Sequence, residues 1–499
     1  MTDGLRGIAA LLVVCFHSTL LLFSWDIHRP YRSSSDHILQ LPILRLLISG
    51  LPQVCIFFVV SGYSISLSSL SQIVSNSRSG RRQYDALQGT LTSSIARRHP
   101  RLFVPAISVA LLAALCSHWG LYADEDWSPI PAFPSRPIPR YDSLWRQLLD
   151  WARQSLRHVD PLQNSIHDIK GFPYDVDQWT IPLEFSGSMV VYLLLSALSR
   201  CRARLRLSVV LGVMLWQLFV SASWVVFLFV GGMFIAEITL HSSSSPSSTD
   251  HDHDHNLPTT TTQHPLLLPT HTTPHHHHHQ HETIPHPTTT NNNNLTTTNQ
   301  HPIHKHLKTL STTPFLFLLS LYLLSSPLIS QGSKDGLSAP GYQTLQSLIP
   351  APYWTAQKPD YFLIPVGAVL LVFSLSRSPL LRRPFTTKLA LYLGRVSYSL
   401  YLVHEMVLYT FGAWVVRRTA GFSSIAVPGG DEGRGVGDGV ESGSGLEMGT
   451  GWVQAVIFYA AFWPVVIWLA DLVCRAVDEP VVEGLRVLGT KVFIVGDGR

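Results

Sequence analysis

The sequence predicts an all-α fold, a polytopic membrane helix bundle of about ten transmembrane helices with one disordered cytoplasmic loop. Three observations predict it. Only 14% of the 499 residues are charged, about half of the roughly 25% usual in soluble domains. Apolar runs recur from residue 7 to residue 474 instead of gathering in one stretch. Arginines concentrate in the connections between those runs, as they do on the cytoplasmic side of membrane proteins. Mean hydropathy is only +0.19 because one polar segment, 241–313, dilutes a strongly apolar remainder. The scarcity of charge excludes a generic soluble enzyme and an intrinsically disordered chain.

A helix that crosses the ~30 Å hydrocarbon core needs about 20 residues at 1.5 Å rise. Gly7–Ser24, Leu47–Leu67, Leu102–Trp119 and Thr180–Leu198 are read as the first four spans. Leu207–Leu240 is mostly apolar, and as one helix it would be about 51 Å long. It is therefore read as two short spans turning near Ser221–Ser223. Pro314–Ser330, Tyr361–Leu375, Leu391–Val416 and Val453–Val473 complete the ten. Arg6 precedes the first run, but Phe23, Trp25 and Asp26 follow it where a signal peptide would carry small residues, so it reads as a first span.

Loop charge tests the split. With the N-terminus inside, loops 68–101, 199–206, 241–313 and 376–390 are cytoplasmic, and three of them hold the arginine clusters Arg97-Arg98-Arg101, Arg200-Arg202-Arg204-Arg206 and Arg377-Arg382-Arg383. A single span over Leu207–Leu240 would put the last cluster outside. Ten spans with both termini cytoplasmic follow. The membrane unit is then 1–240 (six spans) and 314–480 (four spans), separated by 241–313 and followed by a cytoplasmic tail, 481–499. Which membrane houses it, endoplasmic reticulum or plasma membrane, is open.

Sixteen of the 24 histidines lie between His241 and His306, among Thr, Asn and Pro. Such a segment buries too little apolar surface to offset its ordering entropy, so it is expected to be disordered. Opportunistic zinc or nickel binding is reasonable there, but no metal site is assigned. The five cysteines form no CxxC pair, which supports neither a zinc site nor a disulfide framework. A net charge of +4 is too small to indicate a nucleic-acid partner. The partner read from composition is the lipid bilayer.

Ionisable side chains inside spans are costly, so each needs a reason. They are His17, Glu184, Glu237, His404, Glu405 and Asp471. Arg6 and His17 are eleven positions apart, which places both on one helix face some ~16 Å apart. That stripe suits a ligand with an anionic head at the membrane surface and a reactive end inside; headgroup anchoring by Arg6 and an interhelical bond by His17 fit it equally. Ser397, Tyr401 and His404 follow at i, i+4 and i+7, a polar stripe that is either interhelical bonding or the wall of a site. Asp471 and Arg475 are spaced as an i, i+4 pair and read as structural.

These pieces, in this order, resemble the acyltransferase type 3 family, in a fungal-type member. Asp3-Gly4-Leu5-Arg6-Gly7 with His17 resembles its R-x10-H opening, and Phe57-Phe58-Val59-Val60-Ser61-Gly62 its FF-x-x-SG segment. Arg98-His99-Pro100-Arg101 matches its RxxR element. Trp179 to Glu184 is similar to its W-S-L-x-x-E stretch, with Thr180 and Ile181 in place of Ser and Leu. Leu393 to His404 resembles LG-x-x-SYS-x-YLxH, and Glu479-Pro480 the closing EP. Met1 stands directly ahead of the first motif, where members of the family carry a short lead.

The resemblance implies a membrane O-acyltransferase that takes acyl-CoA as co-substrate, binds no resident cofactor, and acylates a hydroxyl of a small-molecule, lipid or carbohydrate acceptor. On that reading His17 is the general base and Glu184 orients the imidazole or contacts the acceptor. Arg6, Arg98 and Arg101 grip the CoA phosphates, as bidentate guanidinium groups do. Ser397, Tyr401 and His404 line the acceptor side, with Tyr401 and His404 alternatively stabilising the developing oxyanion. Cys15 lies about 200° from His17 around the helix, which argues for direct transfer without a covalent cysteine intermediate. The competing class is a non-enzymatic transporter or flippase whose buried ionisable residues bind substrate or relay protons.

Overall fold

The structure is a computed structural model and describes residues 1–23, 25–32, 37–76, 82–122, 138–161, 171–243, 303–329, 339–419 and 452–492. Among these residues the architecture is helical, and the single β feature is an isolated bridge between Phe172 and Asp175. The helices are α1 (Thr2–Leu22), α2 (Leu51–Asn76), α3 (Arg82–His118), α4 (Leu144–Val159), α5 (Thr180–Ala197), α6 (Ala203–Phe219) and α7 (Trp224–Ser243). They continue with α8 (Ile303–Leu324), α9 (Asp360–Arg377), α10 (Lys388–Val407), α11 (Ala413–Thr419), α12 (Trp452–Val473) and α13 (Glu479–Val492). A π-helical turn, Leu408–Gly412, joins α10 to α11, and a second, Cys474–Asp478, joins α12 to α13.

Every predicted span falls on a helix. Among the described residues, eight helical stretches are long and apolar enough to cross a membrane. The two others are shorter: α6 has 17 residues, and the apolar part of α8 is confined to Thr312–Leu324. The split of the long apolar block is where the serines placed it. α6 ends at Phe219, α7 begins at Trp224, and Ala222 between them takes a left-handed φ of 50°. Helices outrun the predicted loops elsewhere. α3 begins at Arg82, so Arg98 and Arg101 sit on its helical face and not in a connection. α13 covers the start of the predicted tail. Of the predicted loop 241–313, only the ends belong to the described residues, where α7 runs to Ser243 and α8 starts at Ile303.

Two helix pairs form the spine of the bundle, α1 with α10 and α2 with α7. Both depend on glycine. A β-carbon on Gly7 would overlap the backbone of Leu393 and Gly394, and one on Gly394 would overlap Asp3. In the second pair, a β-carbon on Gly62 would meet the Phe229 carbonyl and one on Gly232 the Val59 carbonyl. Small residues let helix backbones approach where lipid supplies no hydrophobic driving force between helices. The glycines of the R-x10-H, SG and LG motifs are thus packing contacts. Their consequence for function is direct: the α1–α10 contact fixes His17 beside His404.

Candidate active site

The site is built on a short turn. Asp175 precedes the 3-10 segment Val176–Trp179, and its side chain caps that segment by accepting from the Asp177 N–H at 3.1 Å. Gln178 Nε2 donates to Asp175 Oδ2 at 2.9 Å and to the Ala106 carbonyl of α3 at 3.1 Å. Glu405, on α10, also accepts from the Asp177 N–H, at 3.1 Å. Asp177 is therefore fixed from three elements before its own carboxylate makes any contact.

That carboxylate lies between two imidazoles. Asp177 Oδ2 is 3.2 Å from His17 Nε2 on α1 and 2.9 Å from His404 Nε2 on α10. The two rings are 5.1 Å apart, centroid to centroid. His404 Nδ1 lies 2.6 Å from the Tyr401 carbonyl, which can only accept, so Nδ1 carries a proton. Nε2 and Oδ2 stand at ion-pair distance without making a hydrogen bond, a contact in which an imidazolium compensates a carboxylate buried among helices. The Tyr401 hydroxyl donates to the Asp177 carbonyl and contacts Thr180 Oγ1 at 2.7 Å. His404 is fully buried, whereas His17 retains 19% of its side-chain exposure. His17 lines the smaller of two cavities, with its Nε2 near Asp177.

Two imidazoles and one carboxylate within 4.8 Å of one another form the one group among the described residues with the donor set and spacing to hold a divalent cation. As they stand, the three side chains compose an acid–base unit: an acceptor of protons, a carboxylate that orients it, and a second imidazole that fixes the carboxylate.

Two cavities bear on the site. The larger, about 610 Å³, is lined by Arg6, Arg98, Arg101 and Arg395 together with Glu184 and Tyr398. The smaller, about 210 Å³, is lined by His17 and Asp177 together with Phe16, Trp179, Tyr361 and Tyr401.

In the larger cavity the arginines are not equivalent. Arg98 Nη2 is bound to Glu184 Oε1 at 2.9 Å, and its Nε donates to Ser188 Oγ at 3.0 Å. Ser61 Oγ donates to the same Glu184 oxygen at 3.0 Å. Arg395 pairs with Glu479 at 2.8 Å. Arg6 Nε is buried without a hydrogen-bond partner among the described residues, and Arg101 has no ion pair among them. Arg6 and Arg101 face this cavity together with Asp478, whose carboxylate attracts both of them electrostatically.

The residues singled out in the sequence separate into two places. His17, Tyr401 and His404 come together around Asp177. Arg6, Arg98, Arg101, Glu184 and Ser397 come together in the larger cavity, where Ser397 Oγ donates to the Gly394 carbonyl. Glu184 makes no ion pair with His17; the carboxylate beside the imidazole is Asp177. Asp177 is not an ionisable residue within a predicted span, because it precedes the apolar run that starts at Thr180. The signal available was the Asp175-x-Asp177 pair ahead of Trp179.

The sequence profile of the acyltransferase 3 family, described as an acyltransferase domain, matches residues 2–471. The chain is 34% identical over 487 residues to O-acetyltransferase PaAT-1 of Phomopsis amygdali, covering 95% of this chain and 81% of that protein. It is 22% identical to acyltransferase clz18 of Cochliobolus lunatus, covering 96% and 93% of the two chains. It is also 22% identical to acyltransferase R4 of a Phoma species, covering 85% and 87%. No solved structure matches. The transporter alternative yields to these matches: with its multi-pass helical bundle and motifs in order from Arg6 to Glu479, the chain belongs to the acyltransferase 3 family and is a membrane O-acyltransferase.

Proposed function

We propose that the protein transfers an acyl group from acyl-CoA to a hydroxyl of a small acceptor, with His17 as general base and both termini cytoplasmic. The observation that carries the proposal is the position of His17. It lines the smaller cavity with its Nε2 3.2 Å from the Asp177 carboxylate, and it shares α1 with Arg6, which lines the arginine-rich cavity. The CoA phosphates bind in the cytosol-facing larger cavity at Arg6 and Arg101, and the thioester reaches inward toward His17. Glu184 positions Arg98 in the wall of that cavity.

His17 Nδ1 removes the proton of the acceptor hydroxyl as its oxygen attacks the thioester carbonyl carbon. The tetrahedral intermediate collapses, the C–S bond breaks, and the departing thiolate takes the proton back from His17. An ester and free CoA result, so atoms and charge balance. Asp177 orients the imidazole and stabilises the imidazolium formed in the first step. A general base in this role contributes about 10²–10⁴-fold.

The test is CoA release by membranes or by purified full-length protein, read with a thiol reagent. His17→Ala, at unchanged protein level, is expected to abolish acceptor-dependent release. Retained release would sink the assignment of the base, and a protein that releases no CoA with any acyl-CoA and alcohol would remove the donor as well.

A further inference from the structure

We infer that His17, Asp177 and His404 bind a divalent cation of the zinc type, and that the bound cation blocks proton transfer at His17. The site stands on its geometry; only the block rests on the reading of His17 as the base.

The donors are two imidazole nitrogens and one carboxylate oxygen: His17 Nε2, His404 Nε2 and Asp177 Oδ2, all within 4.8 Å of one another. Such a set suits zinc, copper or nickel, whereas magnesium and calcium are held by oxygen ligands in larger number. Four-coordinate zinc, about 2.0–2.2 Å from each ligand, spaces neighbouring ligands about 3.3 Å apart. His17 Nε2 and His404 Nε2 stand 3.2 Å and 2.9 Å from Asp177 Oδ2, so two of the three ligand pairs are already near that spacing.

The His404 ring is set up as a ligand. Its Nδ1 lies 2.6 Å from the Tyr401 carbonyl, as in metal-bound histidines, whose outer nitrogen donates to a carbonyl or carboxylate while the inner one keeps its lone pair. The side chain is fully buried, and neither its Nε2 nor Asp177 Oδ2 has a hydrogen-bond partner among the described residues. A hydrogen bond between the two would direct the nitrogen along the N···O line. A cation about 2.1 Å from both atoms sits instead at the apex of a triangle, about 45° off that line. The contact lacks the first geometry and leaves the second available.

The local charge favours a cation. Asp175, Asp177 and Glu405 meet at the turn ahead of α5, all three buried. No lysine or arginine pairs with any of them among the described residues, so their charge is met by imidazoles, protons or a cation. Entry is through the smaller cavity, which His17 and Asp177 line together with Asp360, Tyr361 and Tyr401. That polar wall admits a hydrated cation, and the cavity leaves its fourth position to water. With Nε2 on the cation, neutral His17 keeps its one ring proton on Nδ1. Neither nitrogen then has a lone pair with which to take the proton of a hydroxyl.

The experiment uses full-length protein in detergent, stripped with a chelator, in which the histidines from His251 to His306 are replaced by Ser so that they take no metal. Equilibrium dialysis against zinc chloride is expected to give one zinc per chain, undiminished by a large excess of magnesium. Asp177→Asn and His17→Gln are each expected to weaken binding by about 10–100-fold, the loss seen even for outer partners of metal sites. Two readouts need no variant of the site. Cobalt in place of zinc is expected to show the strong visible absorption of a four-coordinate ion. Zinc is expected to slow the modification of His17 by diethyl pyrocarbonate at least tenfold, read by mass spectrometry of the peptide that contains it. Zinc binding equal in parent and Asp177→Asn would overturn the site, and binding without protection of His17 would overturn the block. Acceptor-dependent CoA release from acetyl-CoA that stops on stripping and returns with zinc would also overturn the block. A failed site leaves acyl transfer by His17 intact, and that reading fails separately, on CoA release retained by His17→Ala.

Discussion

Asp177 Oδ2 lies 3.2 Å from His17 Nε2, joining the turn ahead of α5 to the middle of α1. The pair exists only because α1 and α10 approach through Gly7 and Gly394, which brings His404 to the other side of the same oxygen. His17, Asp177 and His404 thus come from three separate helical elements. Each was placed by backbone packing before any side-chain chemistry.

Asp177→Asn keeps the shape of the turn and removes the charge that orients His17. It is expected to lower kcat by about 10²–10⁴-fold, the range lost when an imidazole base loses its carboxylate or is itself removed. The KM for the acceptor should move little. Because the two residues act as one unit, His17→Ala combined with Asp177→Asn should cost no more than His17→Ala alone. Steady-state kinetics on the single and double variants decide this, and additive losses would separate Asp177 from the base.

Arg6 and Arg101 should matter to one end of the donor only. Replacing either by Ala is expected to raise the KM for acetyl-CoA about tenfold, with a penalty that shrinks at high salt as the phosphate charges are screened. With acetyl-pantetheine, which has no phosphates or nucleotide, the same variants should match the parent. A penalty that persists with the truncated donor would place these arginines elsewhere in the mechanism.

Glu184 is the residue whose role changes most between sequence and structure. It is bound to Arg98 and Ser61 and does not touch His17. Glu184→Gln should weaken the hold on Arg98 and lower stability by a few kcal/mol, since breaking an enclosed pair leaves a guanidinium without its partner. The pH profile of kcat should keep its shape, because the base is elsewhere. A profile displaced by a full pH unit would return Glu184 to the catalytic unit.

The fold was legible because helix length and the cost of buried charge act on local sequence. The Ser221–Ser223 turn and the ten apolar segments needed nothing beyond counting residues per span. His17, Tyr401 and His404 were legible as polar side chains within spans. Asp177 was not, because it lies one turn ahead of an apolar run and resembles an ordinary helix-start acid. Nor could spacing reveal that Glu184 and Asp177, seven positions apart, belong to different cavities. That division is set by which helices cross, and crossing is decided by glycines whose contacts are distant in the chain.

Glycine positions give a prediction with two signs. Gly62→Ala places a methyl group against the Phe229 carbonyl of α7, where the obstacle is backbone and cannot swing aside. Overpacking of this kind costs about 1–3 kcal/mol. Gly212, within α6, has nothing within 4 Å of an added β-carbon. There Gly212→Ala should gain about 0.5–1 kcal/mol from helix propensity. Thermal unfolding of the two variants in one detergent should move in opposite directions, and an unchanged or raised Tm for Gly62→Ala would deny that α2 and α7 pack through Gly62.

The last prediction concerns pH and lies away from the chemistry. His158, at the end of α4 outside the spans, stacks on Phe172 with ring centroids 4.5 Å apart, and its burial brings the imidazole down from 6.5 to about 4. The folded chain keeps this imidazole neutral, whereas the unfolded chain binds a proton near 6.5. Its contribution to stability is therefore full above about pH 6.5 and is lost as pH falls from there toward 4, by at most about 3 kcal/mol. Thermal unfolding followed from pH 7.5 to 4.5 should show a Tm that drops through this window. His158→Phe retains the stack on Phe172 without a titrating group, so its Tm should fall less over the same range. Equal slopes for parent and variant would assign the acid sensitivity to other groups.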